Sequence, residues 1–344
     1  MKKKLLTLSL SAAIATSGFA FTPVLAAGNG PDVNGNQNVQ TSMLTTYEEM
    51  ADFLQKQAAN QEHMELEVIG QSVKGRDLFL AKYITNPDNP TILFLTQQHG
   101  NEAMTTEGAL DYIRHLGANS KKTQEMLKNV NILIVPMLNV DGAMGDVNFS
   151  LDNYMASGRH LTRYNADRID LNRDHVNKVA PETQALHENV LQKYKIDYMI
   201  DFHHQGTQED YFGKLTTGAL LTPQSPGVDP EVQLNSRKLA SVLHQGVDSF
   251  GWAFILKFDE PTTNAAVASN AMALQYDIPV ILFEMRGMAD HSYEPYVLGQ
   301  KSNGYIIKQA FQAMDATANA IADGSIKTVD PGVYDNLPEQ HYSY

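Results

Sequence analysis

Thr91-Ile92-Leu93-Phe94-Leu95-Thr96, followed by Gln97-Gln98-His99-Gly100-Asn101-Glu102, is the passage on which the fold turns. Its first half is a compact apolar run rich in β-formers, of the kind buried in a sheet. Polarity then changes abruptly, and helical spacing begins near Glu102 and runs through Leu116. The passage reads as strand, hook, helix. A His and a Glu three residues apart at such a corner can both turn toward one ion. Imidazole nitrogen and carboxylate oxygen are ligands that Zn²⁺ accepts at about 2.0–2.2 Å, and a catalytic zinc needs three protein ligands and an open position. His-x-x-Glu also arises often by chance, so the remainder of the chain has to supply a third ligand.

Outward from this corner the same alternation repeats. Apolar residues recur at helical spacing from Tyr47 to Gln57, and strand-like runs occupy 66–70 and 78–84. Beyond the hook, a short helix is expected near 121–128 and a buried strand at Ile132-Leu133-Ile134-Val135, broken by Pro136. Residues 137–181 read as irregular, with helix over 182–194 and a buried strand from Asp197 to Phe202. Gly and Pro spread over 206–230 mark a loop; then follow helix 231–249, strand 253–258, helix 264–276, strand 279–284 and helix 302–323. Buried strands alternating with helices predict an α/β fold: a mixed, largely parallel central sheet with helices on both faces, in a single domain. Such sheets place their sites beyond the carboxyl ends of strands.

Lys2-Lys3-Lys4, an apolar stretch from Leu5 to Phe21 and Val24-Leu25-Ala26 read as an export signal over 1–26. A Gly- and Asn-rich leader is expected over 27–42, one domain over 43–325 and a tail over 326–344. The expectation is a secreted bacterial protein without stable membrane association. There is no cysteine, so a thiol nucleophile and a thiolate metal site are excluded, and any metal falls to His, Asp, Glu or amide oxygen. Net charge is −13 for the whole chain. Loss of Lys2, Lys3 and Lys4 leaves 23 basic against 39 acidic residues, or −16. That balance argues against nucleic acid as a partner, which needs a basic footprint.

Two further strand ends carry chemistry. Asp201-Phe202-His203-His204 closes a buried strand, where an emerging imidazole is placed to be a third metal ligand. Alternation puts His203 and Asp201 on one face and turns His204 away. Phe283-Glu284-Met285-Arg286 closes another, and a carboxylate there is costly unless it faces a polar cavity or an ion. Glu284 is thus a candidate general base, or a partner of Arg286. The loop from Arg163 to Arg173 supplies planar guanidinium and amide groups, suited to gripping a carboxylate through paired hydrogen bonds. The other histidines, among them His115, His160, His175, His187, His244, His291 and His341, read as ordinary surface or loop residues.

In order and spacing, His99-x-x-Glu102, Pro136-x-x-Asn139-x-Asp141-Gly142, Arg163 through Asp170-Leu171-Asn172-Arg173, Asp201-x-His203 and Phe283-Glu284-x-Arg286 resemble the zinc carboxypeptidase A-like peptidases, over about residues 43–325. The resemblance implies one zinc on His99, Glu102 and His203, with Glu284 as general acid/base. It places Asn172 and Arg173 at the terminal carboxylate of a peptide substrate with a free C-terminus. Arg163 is similar in position to the Arg that polarises the scissile carbonyl, with Arg159 and Arg168 close by. Asn139 to Gly142 reads as scaffold. The family's substrate-covering Tyr has no counterpart in Pro261-Thr262-Thr263-Asn264, and Tyr276 stands on an expected helix near a strand. A related zinc amidohydrolase acting on cell-wall peptides or N-acyl amino acids is the alternative, and a non-catalytic binding protein of the same fold is a remoter one.

Overall fold

Residues Thr91–Thr96 form strand β3, and all six are buried. A strand covered on both faces needs a continuous apolar run rather than an alternating one. The computed structural model describes residues 45–118, 120–145, 161–205, 209–210, 216–249, 253–258, 263–286 and 303–341. The export signal and leader expected over 1–42, together with Arg159 and His160, lie outside these residues.

Eight strands make one sheet. In chain order they are β1 (Glu65–Gln71), β2 (Asp77–Tyr83), β3, β4 (Asn131–Val135), β5 (Tyr198–Gln205), β7 (Gly218–Leu221), β8 (Ile255–Lys257) and β9 (Val280–Arg286). A two-residue β6 (Glu209–Asp210) pairs separately with β10 (Gln340–His341). The spatial order is β1-β2-β4-β3-β5-β9-β7-β8. Strands β4, β3, β5 and β9 run parallel; β2 and β7 pair antiparallel with this core, β1 pairs antiparallel with β2, and β8 pairs parallel with β7. The sheet is mixed and largely parallel at its centre, with helices on both faces.

Two large helices and a short one precede β5: α1 (Tyr47–Asn60), α2 (Ala103–Leu116) and α3 (Lys121–Leu127), followed by the single turn α4 (Val140–Ala143). After them come α5 (Pro181–Leu186), α6 (Pro230–Asp248), α7 (Ala268–Tyr276), α8 (Asn303–Ala322) and the short α9 (Gly332–Asp335). Helix α8 packs on α2 and α6. No helix among the described residues is long and apolar enough to cross a membrane.

The chain leaves β3 for β4 on one side and later returns to β5 on the other. That reversal is the switch point at which open α/β sheets form a crevice. Beneath it, Phe94, Phe202 and Phe283 stack edge-on across β3, β5 and β9, at 6.2 and 6.0 Å between ring centroids. In register, Phe202 faces Phe283 and His203 faces Glu284. Packing the phenylalanines into the core therefore turns His203 and Glu284 together to the opposite face, because a one-residue slip would exchange the two sets.

Three expectations need correction. The loop over 206–230 contains β7, an integral sheet strand whose four residues are buried. Helix 264–276 begins only at Ala268, since Asn264 is engaged in turn contacts: its side chain accepts from Ala266 N and its carbonyl from Asn270 Nδ2. Helix 182–194 continues from α5 as a π-turn at His187–Leu191 and ends there. The described part of the expected tail packs onto the domain, with Tyr334 buried and its backbone N–H donating to Ser241 Oγ at 3.1 Å.

Candidate active site

The hook after β3 is a strained corner. Gln97 adopts φ 52°, the left-handed region that a non-glycine residue rarely enters. Its side chain donates to Gly100 O at 2.8 Å, and its own N–H donates to Thr105 Oγ1 at 3.1 Å. Gly100 is pressed against α4: a Cβ built there would stand 2.2 Å from Gly142 C and 2.4 Å from Thr162 O. Only glycine fits. Asn139 ties the back of the hook, donating to Gln98 O and Arg163 O at 3.1 and 3.0 Å while accepting from Gly142 N. Asp141 beside it accepts from Ser72, Lys74 N and Arg76, the last at 2.7 Å. The Asn139–Gly142 segment is scaffold for the corner.

His99, Glu102 and His203 converge, each at most 2% exposed. Glu102 Oε1 lies 2.7 Å from His99 Nδ1, and its Oε2 lies 2.9 Å from His203 Nδ1. The two Nδ1 atoms are 3.1 Å apart. One potential ligand atom from each residue falls within 4.8 Å of the others. Tetrahedral zinc with bonds of about 2.0–2.1 Å separates its ligand atoms by roughly 3.3 Å, so a small shift seats the ion. The far ring nitrogens are also held: His99 Nε2 lies 3.1 Å from Asp170 Oδ1, and His203 Nε2 lies 2.9 Å from Asp201 Oδ2. Carboxylates in that position set the tautomer and raise ligand basicity. The donor set fits zinc.

Electrostatics agree with this reading. Burial works to raise the Glu102 carboxyl, yet the charges of His99 and His203 hold it well below its ordinary value. Burial likewise opposes charge on His203, but Asp201 and Glu102 raise it well above. Glu284 differs. Burial pushes its carboxyl up to about 8, and Oε2 has no hydrogen-bond partner among the described residues. This carboxylate is kept basic.

His99 and Glu284 open onto one cavity of about 430 Å³, lined also by Arg163, Asn172 and Arg173. Arg163 donates from Nε to Asp170 Oδ2 at 3.1 Å and brings Nη1 to 3.8 Å from Glu102 Oε1. Asn172 Oδ1 accepts from Ala268 N at 2.8 Å, and Arg173 Nη1 donates to Asn172 O at 2.8 Å. Arg168 is exposed, at φ 61°, and takes no part in the lining. Leu221, Val267, Leu282 and Phe258 form an apolar patch on the same cavity.

Two histidines read as surface or loop residues lie in the core. His175 and His187 are fully buried, 3.1 Å apart, because the π-turn begins at His187 and the loop carrying His175 folds inward. Tyr276 bonds His187 Nδ1 at 2.7 Å and is absent from the cavity lining. Sequence reasoning also missed the apolar patch; its one signal was Gly218-Ala219-Leu220-Leu221, too short to separate from a loop.

A family profile described as zinc carboxypeptidase matches residues 50–245. That span holds the three candidate ligands, Arg163, Asn172 and Arg173, while Glu284 lies beyond it. Among curated relatives, Carboxypeptidase 2 of Trichophyton rubrum is 23% identical over 350 residues, covering 88% of this chain and 62% of that protein. Carboxypeptidase D of Rattus norvegicus is 28% identical over 186 residues, covering 49% of this chain and 13% of that protein. The chain thus spans less than two thirds of either relative. Among solved structures, the carboxypeptidase A of Helicoverpa armigera superposes with a TM-score of 0.63 at 17% identity, over 82% of this chain and 74% of that one. A Pseudomonas aeruginosa metallo-carboxypeptidase, in complex with (2-guanidinoethylmercapto)succinic acid, gives 0.60 at 20%, over 81% and 69%. At these identities the superpositions show a shared fold.

Proposed function

Because the chain belongs to the zinc carboxypeptidase family, we propose that it is a secreted metallocarboxypeptidase that removes the C-terminal residue of peptides. One observation carries the reading: His99 of a buried two-His, one-Glu cluster, a carboxyl with one unpartnered oxygen and three amide or guanidinium side chains share a single cavity. Bound at His99, Glu102 and His203, zinc would supply an acidified water and a polarised carbonyl. Glu284 takes the proton of the attacking water and returns it to the leaving amine. Arg163 faces the oxyanion that develops on the carbonyl oxygen. Asn172 and Arg173 hold the terminal carboxylate, so that only the last peptide bond is in register. The apolar patch of Leu221, Val267, Leu282 and Phe258 favours an apolar terminal side chain. The basic start and apolar run over 2–21 support secretion.

The test is hydrolysis of peptides with free or amidated C-termini, with metal content measured on the same sample. Release of single apolar residues from free acids alone, with one zinc bound and loss on chelation, supports the proposal. Cleavage indifferent to the terminal carboxylate, or confined to acyl or cell-wall substrates, moves the same site to the amidohydrolase reading. Val267→Asp should shift preference toward basic terminal residues, read as a change in kcat/KM ratios across the panel.

A further inference from the structure

From Asp201 a line of hydrogen bonds runs through the core to the surface. Asp201 accepts from Gln98 Nε2 on both oxygens, at 2.8 Å each, in addition to its contact with His203. Gln98 Oε1 lies 2.7 Å from His175 Nε2. His175 Nδ1 lies 3.1 Å from His187 Nε2, and His187 Nδ1 lies 2.7 Å from Tyr276 Oη. All are buried except Tyr276, which is half-buried at the end of α7.

The protons can be assigned from one fixed point. A carboxylate only accepts, so Gln98 turns its amide nitrogen to Asp201 and offers its carbonyl to His175. His175 then donates from Nε2, which leaves Nδ1 to accept from His187 Nε2. His187 Nδ1 accepts in turn from the Tyr276 hydroxyl. A single tautomer of each ring satisfies the whole line, and every proton points toward Asp201. Burial keeps both rings neutral, with His175 well below its ordinary pKa and His187 down to about 3. The surroundings hold the arrangement. Asp174 accepts from Val179 N and Ala180 N at 3.0 and 2.9 Å, and Gln275 donates to His175 O at 3.0 Å. The π-turn opens at His187 itself, and such interruptions of regular helix are frequent at functional sites.

We propose that Gln98, His175, His187 and Tyr276 are positioning residues for the metal centre, fixing the Asp201 carboxylate so that His203 keeps its proton on Nε2 and leaves its Nδ1 lone pair free for the metal. The inference rests on the reading of His99, Glu102 and His203 as zinc ligands. A proton wire is the other use of such a line, but the Gln98 amide interrupts it, since an amide does not readily pass a proton on. Two histidines merely satisfying each other in a core would leave the metal indifferent to them.

The decisive measurement is zinc affinity by competition with a chelator, together with the visible spectrum of the Co(II) form and the melting temperature. His187→Leu frees the His175 tautomer and the orientation of Gln98. Outer partners of metal ligands typically matter by 10–100-fold, and His187 stands three residues behind Asp201, so a loss at the low end, about 10-fold, with a shifted cobalt band is expected. His187→Gln restores a donor where Nε2 stood and should recover most of that loss. A folded His187→Leu with wild-type zinc affinity and an unchanged cobalt band overturns the proposal. If His187→Leu does not fold, Tyr276→Phe decides, since it removes one half-buried hydroxyl. Weaker zinc binding at an unchanged melting temperature supports the proposal, and unchanged affinity overturns it. A wild-type protein that takes up no zinc overturns this proposal and the zinc reading beneath it together.

Discussion

Glu284 sits where the sheet would otherwise accept an apolar residue, one position beyond the core residue Phe283 and level with His203 on the next strand. Its carboxyl is desolvated and one oxygen has no partner. Such a group costs stability and is tolerated where it does chemistry. Glu284→Gln keeps the shape but removes the base. It should retain one zinc, lose about 10²–10⁴-fold in kcat, and melt no lower than the wild type, because the folded state no longer has to keep protonated a carboxyl that ionises in the unfolded chain. Steady-state kinetics, metal analysis and calorimetry on one preparation check all three. An active Gln variant would sink the role given to Glu284.

Elements decide where such residues point. The hook works because Gly100 lets β3 and α4 touch, and Gly100→Ala would drive a Cβ to 2.2 Å from backbone that cannot yield. The expected outcome is a loss of about 2–4 kcal/mol in denaturant unfolding and a fall in zinc affinity, since His99 and Glu102 flank the displaced corner. The π-turn supports a second prediction, run on the metal-free protein. His187 is held at a pKa of about 3 by burial, so below about 6.5 the unfolded chain takes a proton that the folded protein refuses. The stability tied to this ring is complete above pH 6.5 and falls as the pH drops, by up to about 2 kcal/mol at pH 5; buried His175 acts in the same direction. His187→Gln should flatten the slope of stability against pH over that range by nearly one proton, and an unchanged slope would show that the ring titrates freely. These elements also mark what sequence could reveal. Strands β3, β5 and β9 were legible with the site residues at their ends, because a strand buried on both faces writes itself as an unbroken apolar run. Strand β7 was not, since four residues between Thr and Pro owe their structure to pairing with β9. Nor were His175 and His187, whose burial depends on a helix interruption that leaves no periodic trace.

At the scale of the whole molecule, the site joins parts of the chain far apart in sequence: the hook after β3, the end of β5, and the loop carrying Asp170 that reaches His99. No cysteine is available to join them covalently. An ion bound there stabilises the folded state over the unfolded one in proportion to its affinity, by about 4 kcal/mol when free zinc is a thousandfold above Kd. Removing it leaves the Glu102 oxygens 2.7 and 2.9 Å from the His99 and His203 rings, and the two rings 3.1 Å apart, contacts that still join these elements. Chelation should therefore lower the melting temperature by roughly 5–10 °C without abolishing cooperative unfolding, and added zinc should restore it in a concentration-dependent way. The same chelation of a Glu102→Gln variant, whose affinity is already reduced, should move the melting temperature much less. A chelator-insensitive wild type, scanned with its metal content known to have fallen, would show that the ion contributes nothing to the stability of the fold and that the elements around it are held by the phenylalanine-centred core alone.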